Sequence, residues 1–360
     1  MIREDAIPEY LETSIAANII GPLPPSPRKR KRFGDELQPI GVYANINPFY
    51  RVSQDAEAVQ EHEAEDPEFQ SKDWWWNHQK IRFLNDKVGF KILLLALPFA
   101  WVMFLWFSVP IGISQLLGVF LFESALPEIL NFVILVLGVV ASLGWIFFAM
   151  WATPCTTNWL MGRGMAFLLK PFEEAINRRF DKLLEDGCSE FNRLTGQVRF
   201  AMGRKRFFEA PFVEFDAYVE RVIQHGGIFY RLMFVHRYTQ KTFNQTWLSG
   251  IEPTKGEVLA LWDMLQRYMD VTEPLPDMPR LEPFRHLDPV TRDHDLKTNR
   301  NPRYWRDLDL EAWKAGEGVE MLANQSHFPW AKRQCKLTPH LGKVSMAEYR
   351  ELRPEGAWPI

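Results

Sequence analysis

The sequence predicts an α+β protein that carries a two-helix transmembrane hairpin, with an antiparallel sheet covered by a long C-terminal amphipathic helix. Three observations lead to this fold class. Residues 92–122 contain no charged side chain, and residues 130–151 form a second uncharged run. Short alternating segments with glycine turns follow, as in an antiparallel sheet. A helical repeat of apolar residues comes after them, between residues 258 and 269.

The two uncharged runs form the predicted hairpin, residues 92–152. A membrane-spanning helix needs about 20 predominantly apolar residues, and each run is long enough. The first run contains Pro110 followed closely by Gly112, so the first crossing is expected to end near Val109. Neither run contains an ionisable residue of the kind that marks proton or ion pathways, which argues against a transporter or a channel.

A patch of small residues in the second run permits close helix packing. We interpret it as packing inside the hairpin, in preference to packing between two copies of the chain. The patch comprises Gly138, Ala141, Ser142 and Gly144.

The charges around the hairpin predict its orientation. Lysine and arginine are abundant on both outer flanks, whereas the connector carries Glu123 and Glu128 and no cation. Loops rich in these cations stay in the cytoplasm, so both termini are predicted to be cytoplasmic.

The composition indicates a chain that lies mostly in water. Its 360 residues have a net charge of −3 and a mean hydropathy of −0.21, so the hairpin is expected to be an anchor. A nearly neutral chain gives no global reason to expect nucleic-acid binding. The three cysteines, Cys155, Cys188 and Cys335, are too few for a disulfide framework and fit a reducing compartment.

Residues 1–71 are predicted to be a polar and largely disordered N-terminal tail. Residues 21–27 are proline-rich and should be extended, and residues 54–70 are acid-rich and should form a solvated helix or tail. A basic run follows the prolines. We interpret it as a charge cluster held near anionic lipid, with a solvated disordered run as the alternative. The run comprises Arg28, Lys29, Arg30, Lys31 and Arg32.

Residues 72–91 are predicted to be an interfacial amphipathic segment, with a helix over residues 72–86. Three consecutive tryptophans, Trp74, Trp75 and Trp76, precede several lysines and arginines. Indole rings settle at headgroup depth and cations stay on the cytosolic side of a membrane. The three tryptophans and the basic run are therefore the predicted lipid contacts.

The region after the hairpin, residues 161–276, is predicted to be a cytoplasmic α+β domain. A helix is expected over residues 161–186, a tight hairpin should turn at Gly196, and further strands follow. Thr254 and Glu257 match a capping box that begins the long amphipathic helix. This order of elements resembles the small pleckstrin-homology-like sheets that recur beside membrane hairpins in bacteria.

Residues 277–360 are predicted to be an irregular C-terminal region, because prolines punctuate it throughout. One short helix is expected over residues 309–315, with Gly316 available to end it. The scattered tryptophans of this region should pack back onto the domain or onto a partner, since leaving them in water is unfavourable.

The sequence contains no P-loop, dinucleotide fingerprint, nucleophile elbow or CxxC pair. We predict no catalytic residue, no metal and no other cofactor, and a chain that is not an enzyme. The densest polar cluster follows residue 284, and we favour turn hydrogen bonding and salt bridges there over a metal or general-base site. This cluster supplies the candidate partner-binding residues Arg285, His286, Asp288, His294 and Asp295.

Several short motifs have a counterpart in a known family. They are residues 191–198, the strands within residues 228–247, Pro274-Leu275-Pro276 with Phe284-Arg285, and Asp288-Pro289. Together with the hairpin they resemble a family of uncharacterised two-span bacterial membrane proteins that is often associated with type VI secretion and toxin loci. The resemblance implies a multi-pass protein of a bacterial inner membrane that serves as an immunity or accessory partner of a secreted toxin. It supplies no catalytic residues.

Three functions remain open at this point. The first is a membrane-anchored interaction protein, most specifically an immunity or accessory partner of a type VI-secreted toxin, which acts by protein binding and not by catalysis. The second is a lipid-sensing or scaffolding membrane module that uses the basic run and the tryptophans. The third is a toxin effector enzyme with a site around His286, Asp288, His294 and Asp295. The predicted partners are membrane lipids and another protein, with no nucleic acid, and the oligomeric state is open.

Overall fold

All structural statements below refer to the part of the chain that the computed structural model describes. The described residues are 10–11, 13–16, 19–27, 35–37, 41–70, 74–84, 90–123, 127–159, 188–203, 206–224, 227–244, 248, 250–330 and 336–360. The basic run at residues 28–32 and the helix predicted over residues 161–186 lie outside them.

The chain divides into two compact units. The polar unit comprises Met1–Lys87 together with Leu184–Ile360, and the apolar unit comprises Val88–Leu183. The polar unit is therefore discontinuous in sequence, because the apolar unit is inserted into it. The N-terminal region belongs to the same folded unit as the C-terminal region, which the predicted boundaries did not anticipate.

The apolar unit contains two long helices, α2 (Phe90–Glu123) and α3 (Glu128–Trp159). Both are long and apolar enough to cross a membrane. Helix α2 continues through Pro98 and Pro110, so the expected end near Val109 is wrong. Each proline removes one backbone hydrogen bond, but the uncharged residues on both sides still favour a helix in an apolar surrounding.

Helices α2 and α3 pack against each other through indole and threonine side chains. Thr153 and Thr156 lie one turn apart on α3, and their hydroxyls donate to backbone carbonyls of their own helix. Three indole N–H groups donate from one helix to the other: Trp101 to Thr156 Oγ1 (3.3 Å), Trp106 to Thr153 Oγ1 (3.0 Å) and Trp145 to the Leu105 carbonyl (2.9 Å).

The outward faces of α2 and α3 are covered with large apolar side chains. In a protein surrounded by water such surfaces are rarely larger than a few hundred Å², whereas lipid tails solvate them. Examples of exposed residues are Phe99, Phe104, Phe107, Ile129, Phe132, Leu137, Phe147 and Trp151.

The polar unit contains two four-stranded antiparallel sheets. The first has the strand order β1-β6-β7-β8 and the second has the order β2-β3-β4-β5. The strands are β1 (Asp35–Leu37), β2 (Lys80–Leu84), β3 (Cys188–Asn192), β4 (Gln197–Gly203), β5 (Arg206–Pro211), β6 (Phe215–Gln224), β7 (Gly227–His236) and β8 (Thr242–Asn244). The predicted α+β class with antiparallel strands is confirmed.

Helix α4 (Lys255–Met269) packs on β6 and β7 of the first sheet and is almost wholly buried. Thr254 begins it as predicted, because its hydroxyl accepts a hydrogen bond from the Glu257 N–H (3.3 Å). The Glu257 carboxylate does not return to Thr254, so only half of the predicted capping box forms. Buried phenylalanines of the strands, and Phe212 from the turn between β5 and β6, complete the core: Phe191, Phe200, Phe208, Phe212, Phe215, Phe234 and Phe243.

The predicted disordered tail is wrong for the described part of residues 1–71. Helix α1 (Phe49–Glu65) buries Val52, Ala56 and Val59, which recur at helical spacing beneath a face of exposed acids. The proline-rich segment is extended as expected, but it is docked, since Leu23 is buried and pairs with Leu341. The polar composition of this region led to the prediction of disorder, although α1 carries a narrow stripe of apolar residues.

The predicted interfacial helix over residues 72–86 is also wrong. Residues Lys80–Leu84 form strand β2, which pairs along its whole length with β3. Ile81 and Phe83 alternate with Lys80 and Arg82, a period of two that suits a strand with one buried face.

The C-terminal region is more regular than predicted. It forms a 3₁₀ helix at Pro279–Leu287 and the helices α5 (Pro289–Thr298), α6 (Leu310–Ala315), α7 (Glu317–His327) and α8 (Met346–Leu352). The predicted helix over residues 309–315 is confirmed, with Asp309 as its N-cap and Gly316 at its end. Trp305 and Trp313 are buried in the core, as expected for tryptophans that pack back onto the domain.

Candidate binding cleft beside helix α5

The candidate site is a cleft of about 340 Å³ beside helix α5, which we call the α5 cleft. Three of the five predicted partner-binding residues line it, namely Arg285, His286 and Asp295. Its other lining residues are Glu282, Arg292, Leu296, Asn299, Arg300, Pro302 and Arg306. Three members of the predicted cluster are thus brought together at one site, although they have different roles there.

Helix α5 is fixed at both ends by local chemistry. At its start, the Asp288 carboxylate accepts the Thr291 N–H (3.0 Å), and Pro289 occupies the first helical position, where its missing N–H costs nothing. At its end, Asn299 adopts the left-handed conformation (φ 51°), which lets its N–H reach the last carbonyls of the helix.

Arg285 and Asp295 tie α5 to the preceding 3₁₀ helix. Two nitrogens of Arg285 donate to the two oxygens of Asp295, at 2.8 and 2.6 Å. Burial alone would raise the pKa of Asp295, but the hydrogen bonds and charge of Arg285 outweigh it and hold that pKa below its ordinary value. Arg285 also donates to the carbonyls of Leu275 and Pro276. Both side chains are therefore engaged in holding the wall of the cleft.

Asp288 lies behind the cleft and is only 1% exposed. It accepts hydrogen bonds from Thr291 and from the Tyr10 hydroxyl, and it forms an ion pair with Arg193 (3.4 Å). Burial, together with Asp288, raises the pKa of Tyr10 to about 12, against the lowering effect of Arg193. The prediction of Asp288 as a partner-binding residue is therefore not supported by its position, because a partner cannot reach it.

Arg193 is the centre of this buried network. It lies in the β3–β4 turn and donates to backbone carbonyls at the end of α4, where the helix dipole favours a cation. The accepting carbonyls belong to Arg267, Tyr268, Asp270 and Glu273. Nearby, burial lowers the pKa of His78 to about 4, so its imidazole is neutral at neutral pH.

The floor of the α5 cleft is a closed set of arginine–carboxylate contacts. The Glu282 carboxylate, which is fully buried, accepts hydrogen bonds from Arg300 (2.9 Å) and Arg306 (3.2 Å). Arg300 also binds Asp277 through two nitrogens, and these carboxylates raise its pKa against the effect of burial. The positive charges of Arg300 and Arg306 at the floor are thus already balanced by carboxylates of the protein itself.

What the cleft presents outward is a different set of groups. The Arg292 side chain is 46% exposed, and its one ion pair within the described part of the chain is a 3.7 Å contact with the exposed Asp293. Leu296 is 75% exposed. His286 is exposed as well, although part of its ring is covered. That partial burial, together with the charge of Arg306, lowers the pKa of His286, so the ring is neutral at neutral pH. His294 is exposed but does not line the cleft; its Nδ1 lies 3.3 Å from Asp295 Oδ1. These groups can bind a carboxylate and an aliphatic side chain.

The predicted lipid contacts Trp74, Trp75 and Trp76 belong to the polar unit. Trp76 is 3% exposed and lies in the hydrophobic core, so its prediction as an interface residue is wrong. Trp74 packs against Phe69 and its indole donates to the Arg280 carbonyl. Trp75 is partly buried against the core. Trp74 and Trp75 thus pack within the polar unit while staying partly exposed, and their role as lipid contacts stays a prediction.

Sequence reasoning missed a second buried ionic group, Glu214 with His236 and Arg353. The Thr239 N–H donates to His236 Nδ1 (3.1 Å), so His236 carries its proton on Nε2 and donates it to Glu214 (2.7 Å). Two nitrogens of Arg353 donate to the two oxygens of the same carboxylate, at 2.7 and 2.9 Å.

This group is structural because water and substrates cannot reach it: both Glu214 and His236 are fully buried. Burial lowers the pKa of His236, which keeps the ring neutral. Burial would raise the pKa of Glu214, but the hydrogen bonds from His236 and Arg353 lower it, so the carboxylate stays charged. The contact fastens the end of α8 to the sheet. No local motif signals it, because Arg353 is far from its partners in sequence.

Among the described residues, no group of three or more histidine, cysteine, aspartate or glutamate side chains is placed to hold a metal ion. Comparison with protein-family models, with curated proteins and with solved structures finds no significant match for this chain. The resemblance to two-span bacterial membrane proteins therefore remains a prediction.

Proposed function

We propose that this chain is a membrane-anchored interaction protein whose polar unit binds another protein at the α5 cleft. The most specific form of the proposal is an immunity or accessory partner of a type VI-secreted toxin, in a bacterial inner membrane. That specific form rests on the sequence resemblance alone. The anchoring and the binding surface have separate structural support.

Anchoring by two crossings is supported by the discontinuity of the polar unit. Residues before and after the apolar helices fold into one unit, so they must lie on the same side of a membrane. The number of crossings between them must then be even, and α2 and α3 supply two. The cation-rich flanks favour the cytoplasm for that side, with both termini cytoplasmic.

The pleckstrin-homology-like order is part of the same proposal. It is supported by two antiparallel sheets that precede a long amphipathic helix, α4. In this proposal the sheets are a scaffold, and binding takes place on the elements that follow α4.

The observation that carries the binding function is the surface of α5. A ten-residue helix is marginal alone and normally depends on burying one face. Helix α5 buries only the Thr291 side chain, yet it is capped at both ends and held in the middle by Arg285 and Asp295. Its outer face is therefore presented in a fixed geometry, which lowers the entropic cost of binding.

The chemistry of that face indicates the kind of partner. Leu296 offers an exposed aliphatic contact, and Arg292 offers a half-exposed cation whose ion pair with Asp293, the one found among the described residues, is long at 3.7 Å. We expect the partner to contribute an aliphatic side chain to Leu296 and a carboxylate to Arg292.

The test is crosslinked capture of the full-length protein from native membranes, read by mass spectrometry. We expect one stoichiometric protein partner. Leu296→Asp and Arg292→Glu should each reduce its recovery about tenfold or more, the effect of losing about 1.4 kcal/mol of binding free energy. Val319→Asp is the matched control, because Val319 is an exposed aliphatic residue on α7 of the same unit. Capture of no protein, or equal capture by all variants, would contradict the proposal.

A further inference from the structure

The α5 cleft carries one cation whose carboxylate contact is long. The arginines that line the cleft are Arg285, Arg292, Arg300 and Arg306. Three of them lie within 3.2 Å of carboxylate oxygens of the protein. The fourth is Arg292, whose ion pair among the described residues, with Asp293, is 3.7 Å long and exposed. A ligand with a single negative charge therefore complements the cleft.

The carboxylates that line the cleft are engaged by the same arginines. Of the described lining residues, Glu282 and Asp295 are the acidic ones. Glu282 accepts hydrogen bonds from Arg300 and Arg306, and both oxygens of Asp295 accept from Arg285. A ligand with an ammonium group would meet arginines there and no available carboxylate, which is unfavourable. The cleft is thus better suited to an acylated nitrogen than to a free amine.

Two further groups complement a peptide residue. Leu296 is 75% exposed and lies one helical turn after Arg292, so the Cβ atoms of the two residues are about 5–6 Å apart. The neutral ring of His286 hydrogen-bonds the Pro283 carbonyl. A neutral imidazole has one N–H, so this bond leaves the other ring nitrogen as an acceptor. The cleft therefore offers a cation, an aliphatic contact and an acceptor for an N–H group.

We propose that the α5 cleft binds the C-terminal residue of the partner protein, an aliphatic residue with a free carboxylate. The carboxylate, the side chain and the amide N–H of such a residue are attached to one Cα, so they can reach Arg292, Leu296 and His286 together. Capture of a C-terminal carboxylate is a recurring mode of peptide recognition. The inference rests on the proposed protein binding at the α5 cleft, and it names the part of the partner that enters.

The size of the cleft agrees with a chain end. Its volume of about 340 Å³ is at the small end of the range for ligand sites, about 300–1,000 Å³. A space of that size accommodates one or two residues, whereas a bound helix or strand needs a long groove. The last residue of a chain can enter such a space without requiring the chain to leave it again.

The test is saturation-transfer NMR on the full-length protein in lipid nanodiscs, with a millimolar peptide as the probe. The peptide is an N-acetylated pentapeptide of glycine and serine that ends in leucine with a free carboxylate. The matched control peptide differs only in a C-terminal amide, which removes the negative charge. Free leucine is the third ligand, because it has the same carboxylate and side chain but an ammonium group in place of the amide N–H.

We expect the acid peptide to bind about tenfold or more tightly than the amide peptide and than free leucine. Arg292→Gln should weaken binding of the acid peptide about tenfold and leave the amide peptide unchanged, since Arg292 contacts the carboxylate. Val319→Asp, on α7, is the control variant and should bind like the unaltered protein. Equal binding of the two peptides, binding that does not depend on Arg292, or no binding of the acid peptide would overturn the inference.

Competition in the membrane capture experiment separates this inference from the proposed function. The acid peptide should reduce recovery of the partner, and the amide peptide should not. A partner that is lost in Leu296→Asp but is not displaced by the acid peptide would leave protein binding at the cleft in place and overturn the C-terminal mode. Capture of no partner would instead contradict the proposed function, and the inference with it.

Discussion

Gly196 is subject to two structural constraints at once, a left-handed backbone conformation and a close approach by the N-terminal segment. It lies in the β3–β4 turn with φ +68°, in the left-handed region that glycine occupies without strain. The N-terminal segment also passes directly over it, so an added Cβ would overlap the backbone oxygen of Thr13 and come within 3.3 Å of Ser14 Cα. The turn explains why a glycine is favoured there, and the close approach explains why no other residue fits.

Replacing Gly196 by alanine should therefore lower the free energy of unfolding of the polar unit by about 2 kcal/mol or more. Chemical denaturation of the full-length protein in detergent, followed by tryptophan fluorescence, measures the change. Gly256→Ala is the control, because Gly256 is inside α4 and its nearest neighbours would be in ordinary contact at 3.5 Å. An equal stability of the two variants would be inconsistent with both constraints on Gly196.

At the scale of elements, the helix pair α2–α3 has a close approach at Gly138 that can be tested. An added Cβ at Gly138 would come 2.5 Å from Leu117 Cδ1, whereas Gly144 has open space around it. The predicted patch of small residues is therefore split, since Gly138 faces the other helix and Gly144 and Ala141 face outward. The interpretation as packing within the hairpin agrees with the position of Gly138.

Gly138→Ile should push α2 and α3 apart and weaken their indole–threonine contacts, while Gly144→Ile should leave the pair intact. Hydrogen exchange of the two helices in nanodiscs, measured by mass spectrometry, should increase several-fold for the first variant only. Faster exchange in Gly144→Ile would instead indicate that the outward patch also packs, for example against a second copy of the chain.

Helix α1 illustrates an element whose first turn is capped by distant residues. Its N-cap, Pro48, supplies no capping side chain. The Phe49 N–H donates to Gln325 (3.0 Å), and the Arg51 N–H donates to Glu257 (3.0 Å). Since the caps come from α7 and α4, no local signal marks the start of this helix.

At the scale of the whole molecule, the insertion of the apolar helices into the polar unit constrains the topology. The two parts of the polar unit share one core, so they cannot lie on opposite sides of a membrane. In the proposed topology, in which α2 and α3 cross a membrane, the distribution of lysine and arginine favours the cytoplasm for the polar unit.

Reporter fusions in a bacterial inner membrane should show this topology. Alkaline phosphatase, which is active only outside the cytoplasm, should be active when fused after residue 125 and inactive when fused after Ile360. A fluorescent protein that matures only in the cytoplasm should give the reverse pattern. Phosphatase activity at the C-terminus would mean that the orientation is inverted.

The sequence by itself determined the elements whose signals are local. Two uncharged runs specified α2 and α3, a glycine between alternating segments specified the β3–β4 turn, and Thr254 and Asp309 specified the starts of α4 and α6. It also pointed to three of the residues that line the α5 cleft, Arg285, His286 and Asp295. Periodicity and caps act within a few residues, so a single stretch of sequence contains them.

Only the tertiary structure decided which polar side chains are available. Asp288 is buried against Arg193 and Tyr10 instead of lying at the surface, and Trp76 lies in the core. The start of α1 is capped by residues about 200 positions away in the sequence. Burial and ion pairing depend on which distant segments pack together. The identity of an aspartate or a tryptophan in the sequence does not show whether its side chain contacts water or another side chain. The exposed face of α5 is recognisable only once the residues that the core buries are known.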